Sequence, residues 1–505
     1  MDHVLAYDVG TSGTKAALIT PDGRVQATAF EPYPTTYPRP LWAEQDPDDW
    51  WRAIAATTRS LLQAAGVGPE QVAGIAFTTQ MVNLIPLDAA GLPLRPCISW
   101  LDGRAGVEAR GIMRRFGGER IFASIVGAAI TGKDVLPKML WLKKHETEVY
   151  RRAATLVDVG GYLLLRTTGR RVVEYSVASV TGLLHLKRKT WDESMMRLFG
   201  LDRAKFPDLV RSTENVGGLT PAAAVDLGLR AGTPVFGGAG DGMSAPVGAG
   251  AVGEGDGHLT LGTSGFVGLI TGRKVTGKRG IVTLQSADLD RFLLIAEMET
   301  AAACLRWAVE NLYQMPSGSE GYQAMDREVA ASTPGAGNLL FTPWMYGERA
   351  PVADERLRAS FVNLGTNHTR GDMARAIYEG VAFNFRWLLE LLEQMFGFRP
   401  DPLRVIGGGA RSAPGVQILA DITGRTLEVM PWPQEASAVG AGLLAAVGLG
   451  VHPSIASLRN LLQPERVVVP APSAFEWYRP AYATYQALYS ALRPIHHRMN
   501  GSEER

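Results

Sequence analysis

A Gly-Thr-Ser-Gly tetrapeptide flanked by two strand-like runs occurs twice in this chain, and the repetition constrains the fold more than any other feature. In the first copy Leu5 to Val9, apolar apart from Asp8, enters Gly10-Thr11-Ser12-Gly13, and the β-rich run from Lys15 to Thr20 follows. Pro21-Asp22-Gly23 is a turn signal, and Val25 to Phe30 reads as a third strand. The second copy is Leu259-Thr260-Leu261 entering Gly262-Thr263-Ser264-Gly265, followed by Phe266 to Ile270. Strand, tight turn and strand in each half predict an internal duplication. At 505 residues the chain is long enough for at least two domains, each with its own core.

Such a loop suits an anion. Glycines let the backbone bend sharply and bring its N–H groups close to a ligand. Thr and Ser hydroxyls add donors, and a nest of N–H groups binds phosphate oxygens. One copy alone reads as an ordinary hairpin turn. A matched pair predicts a nucleotide clamped between two similar domains.

Bulk properties narrow the class. Hydrophobic content of 46% with 20% charged residues describes a globular enzyme. Basic and acidic side chains number 51 and 50 and are interspersed, so no basic stripe points to nucleic acid. Cys97 and Cys304 have neither CxxC nor His spacing, which argues against a disulfide framework or zinc site and for a reducing compartment. No signal-peptide pattern opens the chain and no apolar run is long enough for a bilayer. The expectation is a cytoplasmic protein with no membrane partner.

Asp46-Pro47-Asp48-Asp49 before Trp50-Trp51 predicts a helix start, with Asp46 as cap, and the helix runs to about Ala65 before Gly66. Val72 to Thr78 reads as a buried strand ending in Thr79-Gln80-Met81-Val82-Asn83. Cys97 to Trp100 is a short strand ending in Asp102-Gly103-Arg104. Polar groups at the carboxyl ends of strands are where open α/β sheets bind ligands. Pro137 to His145 begins a helix. Thr233 to Phe236 reads as a strand, 237–242 as a glycine turn, and about Met243 to Gly250 as a small-residue helix. The domain boundary falls after it, giving residues 1–250 and 251–505. Beyond lie helices over 299–312, from Thr369-Arg370-Gly371-Asp372 to Phe396, to about Ile422, and over 436–447. Strands are expected at 403–406 and 426–430, and a helical tail after Ser473 ends in polar, frayed residues.

Three places carry candidate chemistry. Asp8, at the end of a buried strand beside a phosphate loop, suits a Mg²⁺ held mostly through water, or else caps its own turn. Asp241 stands among glycines and alanine before a helix N-terminus, so no neighbouring side chain shields it. It is either a turn residue or a general base for a hydroxyl, a role worth about 10²–10⁴-fold in rate. Gly407 to Ala410, between a strand and a helix, either lets adenine or ribose lie on the backbone or serves close packing. Gly248 to Gly253 matches G-x-G-x-x-G but follows a helix instead of a strand, which excludes a dinucleotide fingerprint.

Together these segments resemble the FGGY carbohydrate kinases, within the actin-like ATPase superfamily, over nearly the whole length. The motifs are Asp8 to Thr14, Leu41 to Pro47, Trp100 to Arg104, Pro137-Lys138-Met139-Leu140-Trp141-Leu142, and Leu261 to Gly265. Gly347-Glu348-Arg349, Glu379-Gly380-Val381 and Gly407 to Ser412 complete the set, which is most similar to the xylulokinase branch. The resemblance implies an α/β fold of two ribonuclease H-like domains flanking a cleft. It implies ATP with Mg²⁺, a sugar substrate, and a homodimer. Asp241 would be the base and, with Asp8, would hold Mg²⁺. Thr11, Ser12, Gly13, Gly262 and Thr263 would hold phosphates, and Gly408, Gly409 and Ala410 would border the adenosine. Gln80, Met81 and Val82 would line the sugar pocket, with Trp100, Asp102 and Arg104 nearby and Gly242 beside the base. D-xylulose, phosphorylated to D-xylulose 5-phosphate, is the expected substrate; other ketopentoses, polyols and sugar acids are the alternatives, and an actin-like ATPase without sugar kinase activity is remote. Xylulokinases carry His and Asn where this chain has Val82 and Gly242, which removes two polar side chains from the expected pocket.

Overall fold

The computed structural model describes residues 3–126, 128–277, 280–397 and 399–501. Two mixed sheets carry the molecule. The first is built from β1 (His3–Val9), β2 (Gly13–Ile19), β3 (Val25–Pro32), β4 (Val72–Thr79), β5 (Asn215–Gly218) and β6 (Pro234–Gly240), in the order β5-β6-β4-β1-β2-β3. The second is built from β7 (Gly257–Leu261), β8 (Gly265–Thr271), β9 (Val282–Gln285), β10 (Phe292–Met298), β11 (Leu403–Ile406), β12 (Leu427–Val429) and β13 (Arg466–Val468), in the order β9-β10-β8-β7-β11-β12-β13.

The duplication is visible in the pairing. In the first sheet β1, β2 and β3 are antiparallel, and β4 then β6 join parallel on the other side of β1. In the second, β7, β8 and β10 are antiparallel, and β11 then β12 join parallel beside β7. Strands β3-β2-β1-β4-β6 therefore repeat as β10-β8-β7-β11-β12.

Of the helices, α1 (Pro47–Ala65) has the bounds its caps predict: Asp46 accepts from the Asp48 N–H, and Gly66 closes the helix at φ 64°. It buries Trp50 and Ile54 on the first sheet's core with Leu5, Tyr7 and Phe77. Helix α2 (Val135–His145) covers a second apolar cluster in the first half. Helix α3 (Asp241–Gly248) follows β6, and α4 (Ala302–Asn311) follows β10. Helix α5 (Arg370–Phe396) has a Thr369–Asp372 capping box and Gly397 at its end. Helices α6 (Ala413–Thr423), α7 (Ala436–Gly448) and α8 (Arg479–Met499) complete the second half. The expected frayed residues at 502–505 lie outside the described residues. No helix among the described residues is long and apolar enough to cross a membrane.

Two elements depart from their sequence expectation. The glycines at 237–240 are not a turn: β6 continues through them, with a register shift against β4 between Phe236 and Ala239. Gly238 sits at φ 65°, and a Cβ there would lie 1.9 Å from the Phe77 carbonyl oxygen, so only glycine lets the strand pass so close. Asp241 is consequently the first residue of α3. Helix α4 starts at Ala302 and not at Glu299: Ala301 has non-helical backbone (φ −128°, ψ −93°), and the Ala303 N–H, which a helix from Glu299 would direct to the Glu299 carbonyl, bonds the Thr263 carbonyl of the second hairpin at 3.2 Å.

Helix α7, from the second half, packs on β1, β2, β4 and β6 of the first sheet and against α3. A third cluster contains Val4, Ile19 and Phe236 of the first sheet, Ile270, Leu293 and Ile406 of the second, and both helices. Small residues permit the crossing: a Cβ on Gly248 would lie 1.9 Å from the Ala436 carbonyl oxygen, and one on Gly440 1.9 Å from that of Ser244.

Candidate active site between the two sheets

Strand β1 ends at Val9, and the Gly10 N–H bonds the Gly13 carbonyl at 3.1 Å to close the first hairpin. Asp8 lies opposite Lys15 of β2 and Thr78 of β4. Burial pushes its carboxyl up to about 6, against the pull of Lys15 and with a further push from Glu435. Lys15 crosses to the second half, where its Nζ donates to the Gln434 carbonyl at 2.8 Å and lies 3.4 Å from Glu435 Oε1.

Asp241 opens α3 at the end of β6. Burial, then the Asp8 charge, pushes its carboxyl up to about 7, and Glu297 of β10 adds to the push. A helix N-terminus favours the anion, but here desolvation and like charge win. Asp8 lies in β1 and Asp241 follows β6, the two strands that flank β4. Glu297 was not foreseen; it is held by Arg349, which also donates to Glu299 at 3.1 Å.

The predicted phosphate residues fall on the two hairpins. Trp100 Nε1 donates to Thr11 Oγ1 at 2.8 Å, Gln45 Nε2 donates to the Thr11 carbonyl at 2.7 Å, and Ser12 is exposed. Thr263 is exposed, and its carbonyl and that of Gly262 accept from the start of α4. Gly408 is exposed beside Gln434, whereas a Cβ on Gly409 would meet Leu261 at 2.9 Å. Ala410 departs from its expected place: its methyl group is fully buried in the second core, so only its backbone borders the turn.

At the end of β4, Gln80 is 2% exposed and its Nε2 donates to Gln45 Oε1 at 2.7 Å. Met81 covers the start of α3: a Cβ on Gly240 would lie 2.2 Å from its sulfur, and one on Gly242 3.3 Å from its terminal carbon. Val82 has φ 63°, an outlier for a β-branched residue, and packs on the cluster that includes Ile98, Val135 and Met139. Asp102 and Arg104 form an interior pair. Asp102 is 0% exposed and accepts from the Ala43 N–H at 2.6 Å and from Arg104 Nε at 2.8 Å; Arg104 Nη2 also reaches Glu44 at 2.6 Å and its guanidinium stacks on Trp42. Both oxygens of Asp102 are occupied, so the pair shapes the loop that presents Trp100.

Sequence reasoning missed the residues that tie these loops together. Asn83 donates to the Gln80 and Met81 carbonyls at 3.0 and 2.9 Å and accepts from the Trp100 N–H at 2.9 Å. Gln45 bridges Gln80 and Thr11. Lys138 sits inside α2 with no exposure. The readable signal was polarity in an apolar run: a lysine between Pro137 and Met139, and an asparagine between Val82 and Leu84.

Buried side-chain oxygens without a partner include those of Thr78, Thr79 and Gln80 at the end of β4, of Thr14 at the start of β2 and of Ser244 inside α3. A surface groove of about 650 Å³ lies elsewhere, along α1 between Tyr33, Arg59 and Asp226, and Asp226 there already accepts from Trp51 and Arg59.

The donor set fits one hard cation. Asp8 and Asp241 are two carboxylates raised by burial and, for Asp241, by its neighbour's charge, a strain that a cation would relieve. Among the described residues no cluster of three or more His, Cys, Asp or Glu has ligand geometry. Such a cation would complete its shell with water and ligand oxygens, as Mg²⁺ does.

The chain is similar to known proteins over nearly its whole length. The family model described as the FGGY family of carbohydrate kinases, N-terminal domain, matches residues 3–248, and its C-terminal counterpart matches residues 257–449. The xylulose kinase of Escherichia coli is 31% identical over 97% of this chain and 99% of its own length. A ligand-bound xylulose kinase from Lactobacillus acidophilus superposes with a TM-score of 0.88 at 26% identity, covering 99% of this chain and 100% of the other. Gluconate kinase from the same organism gives 0.87 at 26% identity, covering 97% and 98%.

Proposed function

The chain belongs to the FGGY family of carbohydrate kinases, and we propose that it transfers the γ-phosphate of ATP to D-xylulose, giving D-xylulose 5-phosphate and ADP. The observation that carries the reading is Asp241, a carboxylate raised to about 7 where β6 meets α3, across from Asp8 and the first hairpin. A carboxylate so placed can act as general base for a sugar hydroxyl, and a cation beside it would lower its pKa from the metal-free value.

In this reading the sugar lies against Met81 and Trp100 with its reacting hydroxyl toward Asp241. Asp241 accepts the hydroxyl proton as the oxygen bonds to the γ-phosphorus and the bond from phosphorus to the β–γ bridging oxygen breaks. The two hairpins hold the phosphates through backbone N–H groups and the hydroxyls of Thr11, Ser12 and Thr263. Gly408 and Gly409 leave room for the adenosine. Asp8 and Asp241 would hold Mg²⁺, which when bound neutralises phosphate charge. Positioning and charge neutralisation do most of the work in phosphoryl transfer. Residues 1–250 and 251–505 close as two units and exclude water from the transfer. The enzyme works in the cytoplasm, where ATP is supplied.

A neutral ketose fits better than a sugar acid. Two cations border the Gln80–Trp100 corner, and both are buried and already paired: Arg104 through Nε and Nη2 with Asp102 and Glu44, and Lys138 with two carbonyls. A carboxylate would have to compete with these partners for their charge. The test is an ADP-coupled assay with D-xylulose, L-ribulose, D-ribulose, xylitol and D-gluconate. Preference for D-xylulose supports the reading; preference for D-gluconate would overturn it.

A further inference from the structure

Lys138 is a fully buried lysine, and the proposed reaction does not use it. Its Nζ donates to the Val82 carbonyl and to the Ser99 carbonyl, each at 2.8 Å. Those carbonyls belong to different loops. One follows β4 and carries Gln80, Met81 and Val82. The other leads to Trp100, and the Ser99 N–H is itself anchored on the Ala43 carbonyl at 3.0 Å. No carboxylate lies within salt-bridge distance of Lys138 among the described residues, so the amine is held by carbonyls alone.

The backbone at Val82 needs such a holder. A β-branched residue at φ 63° is strained and persists only where its surroundings impose it. The donation from Lys138 falls on the peptide that follows Val82, and the Asn83 side chain holds the two peptides before it. We propose that Lys138 is a positioning residue for the sugar: its amine cross-links the two substrate-facing loops and fixes Met81 and Trp100 at their spacing. The groups around it are Cys97, Asp102, Asp134 and Arg104, and burial pushes the ammonium down to about 7. Protonation is not essential to the cross-link, because a neutral amine keeps two N–H groups for two carbonyls.

The inference rests on the sugar kinase reading, and the experiment separates the two. Wild type, Lys138→Met and Lys138→Gln are compared by KM for D-xylulose, KM for ATP, and ATP hydrolysis without sugar. Methionine removes both donors at similar length; glutamine keeps an amide N–H₂ on a shorter stem and serves if the methionine variant does not fold. The expected result is a rise in the KM for D-xylulose of about tenfold in Lys138→Met, the upper end of what one neutral hydrogen bond carries. A smaller rise is expected in Lys138→Gln, with the KM for ATP and sugar-free hydrolysis unchanged in both. Equal changes in both KM values, an unchanged sugar KM, or loss of fold in both variants would overturn the proposal. Wild type inactive on D-xylulose would instead count against the substrate reading.

Discussion

Replacing Gly440 by alanine probes the seam on which the catalytic geometry depends. The new Cβ would lie 1.9 Å from the Ser244 carbonyl oxygen and 3.0 Å from the Gly248 nitrogen. To reach the roughly 3.3 Å of a short carbon–oxygen contact, α3 and α7 must part by about 1.4 Å. The obstacle is backbone on both sides, so no side-chain rotamer can absorb it. Overpacking costs about 1–3 kcal/mol where neighbours can yield, and the upper end applies here. At about 2 °C per kcal/mol for a chain of this size, Tm should fall by roughly 6 °C. Because α3 begins with Asp241, a shift above 1 Å at the base should also lower kcat by about a hundredfold. Calorimetry and steady-state kinetics read the two effects. Gly111→Ala is the control, since it lies in the helix at 106–115 with nothing within 4 Å of its Cβ, and its Tm should stay level or rise. A Gly440→Ala protein within about 1 °C of wild type and with normal kcat would refute the close-seam argument.

The other predictions concern the site. Asp241 is raised from the usual 3.8 to about 7, so without metal the folded protein binds this proton more tightly than the unfolded chain and loses stability as pH rises between those values. Asp241→Asn should therefore unfold at a higher temperature than wild type at pH 8 in chelator, with the difference gone near pH 4; a lower Tm at pH 8 would contradict the burial argument. Asp8→Asn should raise the Mg²⁺ needed for half-maximal rate by about tenfold, the scale of losing one charged ligand, which a magnesium titration reads; an unchanged requirement would remove Asp8 from the cation. Val82→His with Gly242→Asn should change kcat/KM among ketopentoses, because both add hydrogen-bonding groups beside Met81; an identical substrate ranking would show that these positions do not set specificity.

Much of this architecture could be read from the residues. Asp46-Pro47 and Gly66 fix α1 because cap chemistry is local, and Thr369 with Asp372 fixes the start of α5 for the same reason. The duplicated hairpins announced two sheets whose strand order then repeats. The misreadings came from long-range partners. Glycines 237–240 look like a turn until β4 is beside them, where they serve close approach. Helix α4 starts late because the Ala303 N–H is claimed by the second hairpin. Lys138 and Asn83 stand out locally only as polar residues in apolar runs, and their role is not local, since what they do is join loops distant in sequence. Asp102 and Arg104, expected near the sugar pocket, bond each other in the interior.

The most direct test of the central claim is ATP consumption by the purified protein with D-xylulose and Mg²⁺, measured beside Asp241→Ala, with the sugar phosphate identified by mass and NMR. The account predicts robust turnover to D-xylulose 5-phosphate that falls by about 10²–10⁴-fold or more in the variant while nucleotide binding persists. Near-normal turnover in Asp241→Ala would contradict the assignment of the base. Absence of Asp241-dependent turnover on D-xylulose and on the other sugars would contradict the account as a whole.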